Sequence, residues 1–155
     1  NGSQWDRPKL WAGVIGGQDM AQAIKEAEQL VSQSESLEQL DECLNKVGEG
    51  MEFQRANISF YMVEGRLGSE LKFDNPKVGK VVSWRNPKHS GYFNREKEFT
   101  VEFPISGRNF AYGKAEYVFW DGRSNLSVQD EVLLERVHDS ISNLAGKLRK
   151  EMNTI

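Results

Sequence analysis

Two histidines, one cysteine and one basic loop are the places in this chain where side chains of reactive or ligating type occur. His138 and Asp139 adjoin in a segment with helical spacing. Adjacent helical positions point about 100° apart, so the two residues form no relay by themselves. They follow Val137, which belongs to an apolar stripe, and this predicts that both look out to solvent. His89 lies in a loop beside Ser90 and Gly91. An imidazole titrates near neutrality, but no carboxylate partner can be identified for it, and it reads as a loop residue. Cys43 falls among Leu40, Leu44 and Val47 on an apolar helical face, which predicts a buried, inert thiol rather than a nucleophile. One cysteine and two distant histidines give no metal-ligand spacing. Gly13, Gly16 and Gly17 lack both the Lys-Ser/Thr of a phosphate-binding loop and the G-x-G-x-x-G spacing. No catalytic residue, metal site or cofactor emerges from the pattern.

The basic loop is the best candidate for binding. Arg85-Asn-Pro-Lys-His-Ser-Gly-Tyr-Phe-Asn-Arg-Glu-Lys97 is polar and rich in turn formers. Within and beside it, Trp84, Arg85, Lys88, His89, Tyr92, Phe93 and Arg95 combine cations with aromatic rings. Such a set suits an unidentified small anionic ligand, or phospholipid headgroups, held by charge and aromatic packing. The competing reading is a solvated loop between strands.

Composition narrows the class. A chain of 155 residues forms one domain and buries enough surface to fold without a disulfide or metal. The net charge of −3 argues against a general nucleic-acid binder. A lone cysteine fits a reducing compartment. No run of 18 apolar residues suggests a membrane span, and no signal peptide is seen. The chain starts at Asn1, which reads as a fragment of a longer or processed protein.

The elements that must position these residues follow from periodicity. Residues 1–18 read as an irregular arm or linker carrying Trp5 and Trp11, and 19–152 as a single domain. Met20, Ala23, Ile24, Ala27, Leu30 and Val31 mark one helical face over 19–33. Ser36 with Gln39 resembles a capping box for a second helix, which Gly48 and Gly50 are expected to end. Ile58, Phe60 and Met62 alternate in a strand over 53–63, and Leu71 and Phe73 suggest a short strand after it. Strands are expected over 78–84, over 98–105 with Phe99, Val101, Phe103 and Ile105 on one face, and over 111–120. Ser127 is placed to cap a long last helix through an N–H of residue 129 or 130. Asp130 and Glu131 in its first turn suit the helix dipole. Leu134, Val137, Ile141, Leu144 and Leu148 form its stripe. The order predicts an α+β layer, a mostly antiparallel sheet with N- and C-terminal helices packed on one face.

Several of these segments resemble the GAF domains. Phe53-x-Arg-Ala-x-Ile-Ser-Phe60 is similar to their first strand, Phe103-Pro-Ile105 to their penultimate strand, and Gly113 to Trp120 to their last. Leu126-Ser-x-x-Asp-Glu-x-Leu-Leu-x-x-Val137 resembles the opening of their closing helix. The resemblance runs from Gln22 to Lys150 and implies a GAF-like fold. No family ligand transfers with it. The chain lacks the Asn-Lys-Phe-Asp-Glu motif of cyclic-nucleotide binders, its one cysteine lies in an early helix rather than in the pocket that bilin attachment needs, and the sulfoxide reductases built on this fold need several cysteines. The short GAF-like unit with its Trp/Gly-rich front also resembles the cytosolic tails of some bacterial polyprenyl-phosphate sugar-1-phosphate transferases, whose Asp-rich catalytic loops are not in this chain.

The resemblance implies a non-catalytic regulatory or sensor module of a larger protein, with a ligand pocket between the sheet and the 84–97 loop. It implies a cytoplasmic location, with membrane tethering through the parent. A homodimerisation or assembly domain of a signalling protein is the alternative, with the terminal helices pairing through Leu134, Val137, Ile141, Leu144 and Leu148. A small enzyme is the third reading and has the least support.

Overall fold

A computed structural model of the chain describes residues 20–88 and 97–152. The Trp-bearing arm lies outside them. Helix α1 is described over residues 20–33. A short 3-10 turn, Leu37–Gln39, leads into α2, Leu40–Met51. The strands are β1 (Arg55–Val63), β2 (Arg66–Leu67), β3 (Ser69–Glu70), β4 (Val78–Arg85), β5 (Phe99–Ser106) and β6 (Phe110–Phe119), and α3 (Val128–Met152) follows.

The six strands form one antiparallel sheet. Its long strands lie in the order β4, β1, β6, β5. Alternation decides its two faces. Ala56, Ile58 and Phe60 of β1 stand beside Trp84 and Val82 of β4 and Ala115 and Tyr117 of β6, and all of them join the core. Phe99, Val101, Phe103 and Ile105 of β5 complete this face, as their spacing predicts. Arg55, Asn57, Ser59, Ser83, Arg85, Glu102, Lys114 and Glu116 take the other, polar face. There the Ser83 hydroxyl donates to Asn57 Oδ1 at 2.7 Å, and Lys114 pairs with Glu102 at 3.5 Å. Among the described residues β5 pairs with β6 alone, and an edge position of this kind tolerates Pro104.

The apolar face is roofed by the helices. The stripe of α1 (Met20, Ile24, Ala27 and Val31) is buried, and its polar side pairs Glu26 with Lys46 of α2 and Glu28 with Arg136 of α3. Helix α3 begins as its sequence predicts: the Asp130 N–H donates to Ser127 Oγ at 3.1 Å.

Three local expectations need correction. The Ser36 hydroxyl makes no cap bond; instead Gln39 Oε1 accepts the Glu35 N–H, because a 3-10 turn precedes α2 and shifts the register by one residue. Gly48 and Gly50 do not end α2, which runs on to Met51 and closes at Glu52 in a left-handed conformation (φ 62°). These glycines are there for clearance. A Cβ on Gly48 would lie 2.3 Å from the Trp84 ring, and one on Gly50 2.7 Å from Met20 Sδ. Leu71 and Phe73 form no strand and are exposed, because β3 runs beside β6 only to Phe110, where β6 begins.

Gly113 shows the same logic within the sheet. A Cβ there would fall 1.9 Å from the Ser59 carbonyl oxygen, a backbone atom held in the β1–β6 ladder. Gly113→Ala should therefore destabilise the domain by about 2–4 kcal/mol in urea unfolding. Gly48→Ala should also destabilise it, by about 1–2 kcal/mol, although alanine favours a helix by about 1 kcal/mol over glycine. A stabilised Gly48→Ala variant would show that the Trp84 ring does not set this packing.

Candidate functional site

The helical roof accounts for most residues with reactive chemistry. His138 does not look out to solvent; it is 4% exposed, in the layer between α3 and the sheet. The face that α3 buries is wide: Leu133, Leu134, Val137, His138, Ile141, Ser142, Leu144 and Ala145 all turn inward. A position 100° from Val137 still falls on a face this broad. His138 Nε2 and the Tyr117 hydroxyl share a 2.7 Å hydrogen bond, with the Phe103 ring centroid 5.2 Å from the imidazole. Burial lowers the His138 pKa from 6.5 to about 4 and pushes the Tyr117 phenol up. Both groups are neutral at pH 7. Asp139 is exposed, at the mouth of a small cleft that His138 also lines. Burial also pushes the Cys43 thiol up to about 12, which fits the inert role expected of it.

The stripe expected to pair two copies is used within the domain. Leu134, Val137 and Ile141 are 0% exposed and Leu144 5%, while Leu148 packs partly buried against the same core. Leu134, Val137, Ile141 and Leu144 thus face the domain's own core, while Leu148 keeps part of its surface in a cleft.

The basic-aromatic set is divided. His89, Tyr92, Phe93 and Arg95 lie outside the described residues. Trp84 turns to the helical side, edge-on to Phe53 at 5.2 Å, with its indole N–H donating to Asn45 Oδ1 at 3.1 Å. Arg85, its strand neighbour, turns to the polar side, and Lys88 is exposed in the turn beyond. Trp84 and Arg85 therefore serve opposite faces. Arg55 stands beside Arg85 on the polar face, 3.9 Å from Glu98, and its Nε is buried without a partner.

A different group of cations converges at one end of the domain. The β5–β6 turn, β2 and the last turns of α3 enclose a cleft of about 720 Å³, within the range of small-molecule sites. Arg66, Arg108, Lys147, Arg149 and Lys150 line it, with Glu151 as the acidic side chain of the lining. Its local geometry starts from a β-bulge. Ile105 pairs with Gly113 but Ser106 pairs with Ala111, so Tyr112 is an extra residue in β6. Bulges re-aim side chains, and this one sets Tyr112 against Gly107 and Gly146: a Cβ at Gly107 would sit 3.0 Å from the ring and one at Gly146 3.1 Å from the hydroxyl oxygen. Those two glycines bring the turn and α3 together. Arg149 is fixed: it donates to the Leu67 carbonyl at 2.6 Å and the Gly68 carbonyl at 3.2 Å, and its guanidinium lies 3.8 Å over the Phe110 ring. Burial, then the charge of Arg66, lowers its pKa, with Tyr112 and Glu70 acting in the opposite sense. Among the described residues, Arg66 Nε is buried without a hydrogen-bond partner.

Two further clefts differ in chemistry. One of about 460 Å³ has an apolar floor of Leu37, Met62, Leu67, Leu148 and Met152 under a Lys80–Glu38 ion pair. The other, about 270 Å³, opens beside His138 between Phe103, Glu135 and Ser142. Among the described residues, no group of three or more His, Cys, Asp or Glu side chains is placed to hold a metal ion.

The basic cleft was not legible as a unit, because its parts come from residues 66, 107–112 and 142–151. The Lys/Arg-rich end of the last helix was the visible signal, and a basic helix C-terminus has an ordinary explanation in the helix dipole.

No family model matches the chain, and no curated protein matches it by sequence. Among solved structures it is similar to the GAF domain from Acinetobacter phosphoenolpyruvate-protein phosphotransferase, with a TM-score of 0.59. The match covers 86% of this chain and 97% of that one at 14% identity. At such identity the likeness is one of fold: this chain has a GAF-like α+β fold.

The buried imidazole has a pH signature. The unfolded chain takes up a proton on His138 near pH 6.5, whereas the folded state resists until about pH 4. Stability should therefore fall as pH drops through that window, by about 3 kcal/mol from this residue, and its contribution should be complete above the window. An NMR titration of the His138 ring should give a midpoint near 4. A midpoint near 6.5 would place the ring in solvent.

Proposed function

We propose that this chain is a non-catalytic, GAF-like regulatory module of a larger protein, and that it acts by holding a small anionic ligand in the basic cleft. The observation that carries this reading is the convergence of five basic side chains from separate elements on a ligand-sized cleft beside Phe110 and Tyr112. The GAF-like fold supports a regulatory role, and the neutral, buried states of His138 and Cys43 speak against acid–base or thiol chemistry. In this reading the ligand lies at the Phe110 end of β6, opposite the end where Arg85 of β4 and Phe99 of β5 stand.

The finer reading, a soluble cytoplasmic tail of a bacterial membrane glycosyl-1-phosphate transferase, is supported only by the sequence resemblance of the GAF-like unit with its Trp/Gly-rich front. No helix among the described residues is long and apolar enough to cross a membrane, so tethering would come through the parent.

The test is a backbone amide NMR titration with pyrophosphate and citrate, against neutral glucose as control. The anions should shift amides of the 107–112 turn and of residues 142–151, and glucose should not. Shifts confined to residues 81–88 and the following loop would move the site to the polar sheet face and overturn this placement. Turnover of a small molecule by the isolated chain would overturn the non-catalytic reading.

A further inference from the structure

The chemistry of this cleft narrows its ligand class further, if the domain is the ligand-holding module proposed above. We propose that the cleft binds a phosphorylated small molecule, with Arg66, Arg108, Lys147 and Lys150 supplying charge to its phosphate and the Phe110–Tyr112 side receiving its organic part.

The helix dipole explains cations at the end of α3, since carbonyls there carry partial negative charge. It does not explain Arg66, which comes from β2, or Arg108, which comes from the β5–β6 turn. Bringing like charges together is unfavourable without a counter-charge. Arg149 is close enough to Arg66 to feel its charge. Arg149 is also already committed to the Leu67 and Gly68 carbonyls and to the Phe110 ring. It acts as a fixed positive wall, while Arg66 keeps a buried Nε with no acceptor among the described residues.

The balance of charge selects the ligand. Among the described residues the lining carries five basic side chains against the carboxylate of Glu151, with Glu70 near enough to Arg149 to offset part of that charge. A monocarboxylate would leave most of that excess unmatched. A phosphate monoester carries close to two negative charges and three acceptor oxygens. The guanidinium fork matches those oxygens in pairs, which a compact ammonium does not. Size points the same way, because about 720 Å³ is more than a bare ion fills and leaves room for an organic body against the aromatic rings.

Calorimetric and NMR titrations test this with pyrophosphate and succinate as probes at low salt, on the wild type, Arg66→Gln, Arg108→Gln and Lys25→Gln. Lys25 is exposed on α1, outside the cleft. Pyrophosphate should bind about tenfold or more tightly than succinate and shift the Gly107 and Gly146 amides. Arg66→Gln should weaken pyrophosphate about tenfold, the loss of one charge-assisted contact, and Lys25→Gln should change it less than about twofold. Circular dichroism confirms that the variants fold, and Arg108→Gln serves the same purpose if Arg66→Gln does not.

Each other outcome overturns the proposal. Succinate binding as tightly as pyrophosphate, with the same amides shifted, would reject the phosphate class and leave the ligand-holding reading intact. If neither anion shifted those amides, both readings would fall. Equal weakening by Arg66→Gln and Lys25→Gln would reduce the effect to diffuse surface charge. A lipid source is separated by sedimentation with phosphatidylcholine vesicles, with and without phosphatidic acid. Arg66-dependent binding to the acidic vesicles, without binding of pyrophosphate, would assign the cleft to a membrane headgroup and reject the small-molecule ligand.

Discussion

The hydrogen bond between Tyr117 and His138 is the constraint around which the domain is arranged. It joins the central strand β6 to helix α3 inside a layer where Tyr117 is 0% and His138 4% exposed. A buried phenol or imidazole left unpaired costs about 1–3 kcal/mol, so each group requires the other. The imidazole must also stay neutral, and its lowered pKa expresses that requirement. Apolar contacts hold α3 to the sheet over most of its length, but they are non-directional. The polar pair adds a directional link at a fixed height on β6, supported by the Phe103 ring and by the Ser142 hydroxyl, which donates to the Ser106 carbonyl at 3.0 Å.

From that anchor the end of the domain is determined. Two turns beyond His138, α3 passes the bulge at Tyr112, and the close approach of Gly107 and Gly146 to that ring leaves little freedom in spacing. The next turn delivers Lys147, Arg149 and Lys150 beside Arg66 and Arg108. Arg149 is thereby held in place by the Leu67 and Gly68 carbonyls and the Phe110 ring, which lowers the cost of ordering that side chain on binding. The apolar face of α3, by contrast, is covered by its own sheet.

The architecture was legible in the sequence wherever one residue's neighbours decided its environment. Alternation placed Phe99, Val101, Phe103 and Ile105 on the core face, Ser127 capped the last helix, and Cys43 followed its apolar neighbours inward. Reading failed where tertiary neighbours decide. Gly48 has the type of a helix terminator, yet it is a clearance site for a tryptophan 36 residues further on (Gly48 to Trp84). His138 is polar, and only its Tyr117 partner makes burial affordable. The basic loop attracted notice because its cations are contiguous, whereas those of the cleft are brought together from three stretches of chain. Sequence proximity marks composition, and only the fold marks convergence.

A double-mutant cycle on Tyr117→Phe and His138→Phe tests the anchor most directly. The account predicts a coupling energy of about 1–2 kcal/mol by urea unfolding at pH 7, with the double variant less destabilised than the sum of the two single variants. Additivity within about 0.3 kcal/mol would contradict it. It would mean that α3 is held to the sheet by apolar contact alone, and that the height of the cationic end above Tyr112 is not set by this bond.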